Sequence, residues 1–139
     1  MDDTRRPPGP PDPTTGGPLT RESAKALLER GRELLASGEF GGAGDHFARV
    51  VGFDDPAITA GALMGLGEVR YRLDDEAAAL TTWMAVLRLG ETPSTYGAWR
   101  NIAAARVRSG DLPRAIEAYR EADRRAPQED KPEIANRLG

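Results

Sequence analysis

From Leu27 onward, large apolar residues recur at three- and four-residue spacing, broken by short polar corners. In residues 24–54, Leu27, Leu28, Leu34 and Leu35 form one helical stripe, and Phe40, Ala43, Phe47, Val50 and Val51 form a second. Ser37-Gly38 lies between the stripes as a helix stop, with glycine able to take a positive φ. The pattern returns in residues 60–90 and again in residues 96–126, and the three windows align without gaps at a period of 36 residues. Leu27, Leu63 and Trp99 share a column, as do Gly31, Gly67 and Ala103. Ala43, Ala79 and Ala115 share another, followed by Phe47, Trp83 and Tyr119, and by Val50, Val86 and Ala122.

Each window therefore predicts two helices joined by a tight corner. In the third, Ser109-Gly110 ends one helix, Asp111 caps the next, and Pro113 falls in its first turn, where a missing N–H costs nothing. In the second, Asp74 stands where the others have glycine, which predicts a turn that is slightly strained or of another type. The small columns mark where paired helices approach most closely. The aromatic column fills the space between one pair and the next. A single pair cannot bury its own apolar face, so the pairs stack into a solenoid, an all-α fold.

The ends read differently. Six of the eleven prolines precede residue 19, and residues 1–19 have almost nothing to bury, so they predict a disordered Pro/Gly-rich arm. Pro7 and Pro10 make a PxxP match, a pattern common in linkers. The repeat domain takes up residues 20–139, with repeats at about 24–59, 60–95 and 96–131. Leu66-Gly67 is echoed by Leu138-Gly139, so residues 132–139 read as the start of a fourth repeat or as a capping helix. The start of a fourth repeat points to a chain cut from a longer one.

These columns resemble the tetratricopeptide repeat family. Its pattern of Leu-Gly, a later Gly before an aromatic, then Ala, an aromatic, Ala and Pro is visible in Leu66-Gly67 and Trp83 of the second repeat. It is visible too in Gly38, Phe40, Ala43 and Phe47 of the first, and in Gly110, Ala115, Tyr119, Ala122 and Pro127 of the third. The period exceeds the family's usual value of about 34 residues. The extra residues are expected between repeats, around Asp55-Pro56 and Thr92-Pro93. Glu76 also replaces the usual aromatic. The resemblance covers about residues 21–139 and implies a right-handed solenoid of antiparallel helix hairpins.

Composition narrows the chemistry. With 19 Lys+Arg against 22 Asp+Glu the chain carries −3, which gives no electrostatic reason to bind nucleic acid. There is no cysteine, so no disulfide, thiolate chemistry or Cys-ligated zinc, and His46 is the single histidine. No stretch approaches the ~18 apolar residues of a membrane helix and no signal peptide is evident, which leads to a cytoplasmic expectation. The Gly-rich stretch from Gly38 to Gly44 lacks the Lys-Ser/Thr of a phosphate loop and reads as a helix corner. His46 has no nucleophile in a recognisable arrangement, and no metal-ligand spacing occurs. The pairs Asp54-Asp55 and Asp74-Asp75 read as caps and corners. No catalysis, metal or cofactor is expected.

The resemblance implies that the first helix of each repeat lines a concave groove for extended or helical peptides. Carried over by column, Lys25 and Arg32 come from the first repeat; Met64, Gly65, Glu68, Tyr71 and Arg72 from the second; Arg100, Asn101 and Arg108 from the third. Asn101 lies where some members use an asparagine to hold a peptide backbone or terminal carboxylate. Gly61, Gly65 and Gly97 do not supply the basic residues of a full carboxylate clamp. The groove's cations outnumber its acids, so an acidic protein or peptide segment is the expected ligand. Gly61 and Gly65 lie on one helix face, where each glycine costs about 1 kcal/mol relative to alanine. Close approach of a ligand backbone or of a neighbouring helix is the expected compensation. Two other roles stay open: a regulatory appendage of a longer enzyme or membrane protein, such as an intramembrane protease, and a homo-oligomeric adaptor.

Overall fold

The computed structural model describes residues 18–127. The segment expected to form an arm (all but its last two residues) and the one expected to begin a fourth repeat or cap the stack fall outside the described residues. Six helices follow in order: α1 (Arg21–Ala36), α2 (Phe40–Val50), α3 (Pro56–Arg72), α4 (Glu76–Arg88), α5 (Thr95–Ser109) and α6 (Leu112–Arg125). They pack as three hairpins, α1 with α2, α3 with α4 and α5 with α6, each set on the next.

Local chemistry fixes most of the helix starts. Thr20 and Ser23 form a capping box at α1. The Asp55 carboxylate accepts from the Ala57 and Ile58 N–H groups at the start of α3, with Pro56 in the first turn. Asp75 and Asp111 accept from the Ala78 and Arg114 N–H groups at α4 and α6.

All three hairpin corners are of one type. Gly38, Asp74 and Gly110 sit at φ of 85, 64 and 83°. The Gly38, Asp74 and Gly110 N–H groups donate to Leu35, Tyr71 and Val107 at 3.1, 3.1 and 3.0 Å. The next N–H, from Glu39, Asp75 or Asp111, donates to Leu34, Arg70 or Arg106 at 2.8, 2.9 and 2.9 Å. Of the two expectations at Asp74, the slightly strained turn is found and another turn type is not. Hydrogen bonding enforces one geometry, and Asp74 takes the left-handed conformation at some strain, which a short polar side chain tolerates best.

The connections between hairpins differ from each other. Pro56 opens α3, but its counterpart Thr92 lies outside α5, which begins only at Thr95. There the Thr92 N–H donates to Thr95 Oγ1 at 2.9 Å and the Thr95 N–H to the Thr92 carbonyl at 3.1 Å. A side-chain turn replaces the first helical turn.

The core follows the columns. Ala43, Phe47, Val50, Ala79, Val86 and Ala103 are buried, and Trp83 is nearly so. Phe47 occupies the space between α1 and α3. A Cβ at Gly31 would lie 2.7 Å from Phe47 Cε1, and one at Gly65 would overlap the tip of the same ring. Trp83 closes on Gly67 in the same way, and its indole N–H donates to the Met64 carbonyl at 3.4 Å. Tyr119, the third aromatic of the column, is 45% exposed.

Candidate functional site

The first helices α1, α3 and α5 approach each other through glycine. A Cβ at Gly61 would meet Leu28 Cδ2 and Arg32 Nη2 at 3.3 Å, and one at Gly97 would meet Met64 Cε at 3.1 Å. The compensation for glycine at Gly61 and Gly65 is therefore a neighbouring helix. Gly65 is corrected as a groove residue, because it faces the buried Phe47 ring and has no room for a ligand.

The remaining expected residues separate into three places. Lys25 is exposed on α1, and Arg32 pairs with Glu29 at 3.8 Å. At the far ends of α3 and α5, Tyr71, Arg72, Asp74, Glu76 and Arg108 line a hollow of about 340 Å³. In it Arg72 pairs with Glu68 at 2.8 Å and its guanidinium carbon lies 6.0 Å from the centre of the Phe40 ring. Arg108 covers Tyr71 at 5.2 Å, and Tyr71 packs on Trp83 with ring centres 5.8 Å apart.

Near the start of α5, Tyr96, Gly97, Arg100, Asn101, Ala104 and Tyr119 line a second hollow of about 210 Å³. Arg100 lies 5.6 Å over the Tyr96 ring. Tyr96 shares a column with Ala24 and Ala60, which are wholly buried. A phenol is too large for that place, so the ring lies at the surface beneath Arg100. Column matching alone missed Tyr96, Tyr119, Asp74 and Glu76. Only the mismatch in size at Tyr96 signalled that its column would not hold.

Pairing redistributes the charge of this face. Arg32 and Arg72 are matched by Glu29 and Glu68. Lys25, Arg100 and Arg108 have no carboxylate partner among the described residues, and Arg100 and Arg108 lie about 12 Å apart along α5 at 1.5 Å per residue. The net positive charge comes from these three.

Elsewhere the discounted chemistry has structural uses. The Gly-rich stretch forms the corner and the first turns of α2. His46 Nδ1 lies 2.8 Å from the Gly42 carbonyl, so that nitrogen carries the proton and donates within its own helix. Among the described residues no group of three or more His, Asp or Glu could hold a metal ion. Among the same residues no helix is long and apolar enough to cross a membrane.

No family model and no curated protein matches the chain. Among solved structures it is similar to the crystal structure of the TPR domain of Arabidopsis FLU, with a TM-score of 0.69 at 23% identity. The match covers 76% of this chain and 95% of that one. Three hairpins, one repeated corner and this likeness define a tetratricopeptide-repeat fold.

Proposed function

We propose that the chain is a non-catalytic protein–protein interaction scaffold that holds an acidic segment of a partner along α1, α3 and α5. The observation that carries this reading is the pair of unmatched arginines on aromatic rings, Arg100 on Tyr96 and Arg108 on Tyr71. A guanidinium spread over a ring keeps its outer edge free for a carboxylate, and the ring beside it offers apolar contact. Met64, whose Cε lies against Gly97, adds an adaptable apolar surface beside the start of α5. A pull-down with the chain as bait, followed by titration of the recovered partner, tests it. Arg100→Glu weakens binding, and wild-type affinity falls as salt rises. A partner whose affinity ignores both lies on another surface.

A second reading, self-association, is favoured by one feature. Leu112, Ile116 and Tyr119 are 56, 51 and 45% exposed along one stripe of α6. At the repeat period Leu112 matches Glu76 and the half-buried Phe40, Ile116 matches Gly44 and the half-buried Leu80, and Tyr119 matches the buried rings Phe47 and Trp83. Light scattering at two concentrations, on wild type and Ile116→Glu, tests it. A mass that rises with concentration in wild type alone supports the homo-oligomeric adaptor, and a monomer in both overturns it.

A further inference from the structure

A larger hollow, about 440 Å³, opens between α4 and α6 with α5 as its floor. Its floor residues on α5, Trp99, Ile102 and Arg106, recur at three- and four-residue spacing. That stripe lies on the other side of the helix from Arg100, Ala104 and Arg108. Met84 and Leu87 of α4 form one wall. Met84 is 41% exposed, where the first repeat has Ala48.

The same place one repeat earlier, between α2 and α4, provides an internal comparison. There Arg70 reaches across from α3, and its guanidinium donates to the hydroxyl of Thr82 on α4. Thr82 is itself nearly buried. Thirty-six residues later, Arg106 replaces Arg70 and Ala118 replaces Thr82. A methyl group cannot accept a hydrogen bond, so the latch has no counterpart, and among the described residues the Arg106 side chain has no partner.

Arg120, on the rim, likewise has no ion pair among the described residues. The other rim arginines are paired locally, Arg114 with Asp111 at 3.5 Å and Arg124 with Glu121, while Glu117 is a rim carboxylate with no ion pair among the described residues. Arg125, just beyond the rim, holds Glu121 at 2.8 Å and Glu91 at 2.8 Å. The hollow thus combines the apolar floor of Trp99 and Ile102 with two uncommitted guanidiniums against one uncommitted carboxylate, Glu117, so its unpaired charge is net positive.

We infer that the α4–α6 hollow is a second docking site, taking an acidic segment of a partner protein that carries a large apolar side chain. The apolar side chain rests on Trp99 and Met84, and carboxylates flanking it meet Arg106 and Arg120. The inference rests on the scaffold reading but uses the opposite side of α5, so the two sites can be filled together. Neither site depends on a residue of the other.

The test uses the full 139-residue chain, ¹⁵N-labelled, and a synthetic tryptophan-free peptide of alternating glutamate and leucine pairs. The chain has two tryptophans, which give two indole N–H signals that Trp99→Phe assigns. The expected result is a saturable shift of the Trp99 indole and of the backbone amides of Met84 and Arg120. Arg106→Glu with Arg120→Glu lowers the affinity read from those shifts at least tenfold, while Arg100→Glu leaves them unchanged. Ala118→Thr restores the acceptor that Thr82 provides and weakens the same shifts severalfold with the melting midpoint retained. Shifts confined to Arg100, Asn101 and Ala104 overturn the second site and leave the first standing. Absence of any shift at millimolar peptide overturns the second site, and so does a response at Trp99 that ignores the Arg106 and Arg120 changes.

Discussion

At the scale of single residues, the glycines separate by what a methyl group would meet. Gly65 and Gly31 both press on the Phe47 ring. Gly65→Leu therefore drives a side chain into a filled core and lowers stability by about 3 kcal/mol or more, at the upper end of the overpacking range. Urea denaturation reads it, and a midpoint equal to wild type would show that Phe47 can leave its place without loss. A Cβ at Gly41 would meet nothing within 4 Å and the residue lies in α2, so Gly41→Ala stabilises the fold by about 0.5–1 kcal/mol through helix propensity, read as a higher midpoint. The Gly31 and Gly67 crossings were legible because they recur at the repeat period. Gly65 was legible only as a place of close approach, by a ligand or by a neighbouring helix, because its counterpart is Asn101 and no column marks it. Its place depends on the offset between stacked hairpins, which spacing within one chain segment does not specify.

At the scale of elements, the corners and caps carry the regularity. Asp74 adopts the backbone conformation that Gly38 and Gly110 adopt without a Cβ penalty. Asp74→Gly is expected to stabilise by roughly 1 kcal/mol, read as a higher melting midpoint. Loss of stability would mean that the Asp74 side chain contributes more than its strain removes. Asp55 both caps α3 and pairs with Arg21 of α1 at 2.7 Å, its side chain only 12% exposed. Asp55→Ala then costs about 1–2 kcal/mol, more than an exposed cap. Hydrogen bonds from Arg125 and then Arg124 hold the Glu121 carboxyl below the usual carboxylate range, while Glu121 and Glu91 raise the Arg125 guanidinium. A depressed carboxylate stabilises the fold above the unfolded pKa and loses that contribution as pH falls through the folded value. Wild type therefore loses stability faster than Glu121→Gln on acidification below about pH 4.3, the unperturbed glutamate value. Parallel melting curves across that range would overturn the assignment. The element boundaries were legible where a cap and a proline coincide, as at Asp55-Pro56. They were not at Thr92-Pro93, where Thr95 makes a side-chain turn instead of continuing the helix.

At the scale of the whole molecule, what decides binding is which charges are already spent inside the chain. Column reading placed five cations on the first-helix face and treated them as equal. The ion pairs with Glu29 and Glu68 come from side chains three or four residues away on the same helix, a local pairing that any helix allows. Such exposed pairs contribute little stability, yet they lower the charge presented to a partner. Lys25, Arg100 and Arg108 keep theirs. Arg100→Glu or Arg108→Glu is therefore expected to weaken binding of an acidic segment about tenfold or more. Arg32→Gln or Arg72→Gln is expected to change it less, since each guanidinium is already held by its own glutamate, and what loss remains comes from the glutamate set free. The separation of Arg100 from Arg108 is close to the Debye length of about 10 Å at 0.1 M ionic strength. One carboxylate cannot use both, and a ligand that does must follow α5 for more than two turns. Isothermal titration with the recovered partner at two salt concentrations distinguishes the cases. If Arg100→Glu and Arg108→Glu each reduce affinity and each flatten its salt dependence, the segment spans both hollows. If only one does, the ligand is confined to that end of α5. Equal effects from all four arginines would show that the Glu29 and Glu68 pairs open when the partner arrives.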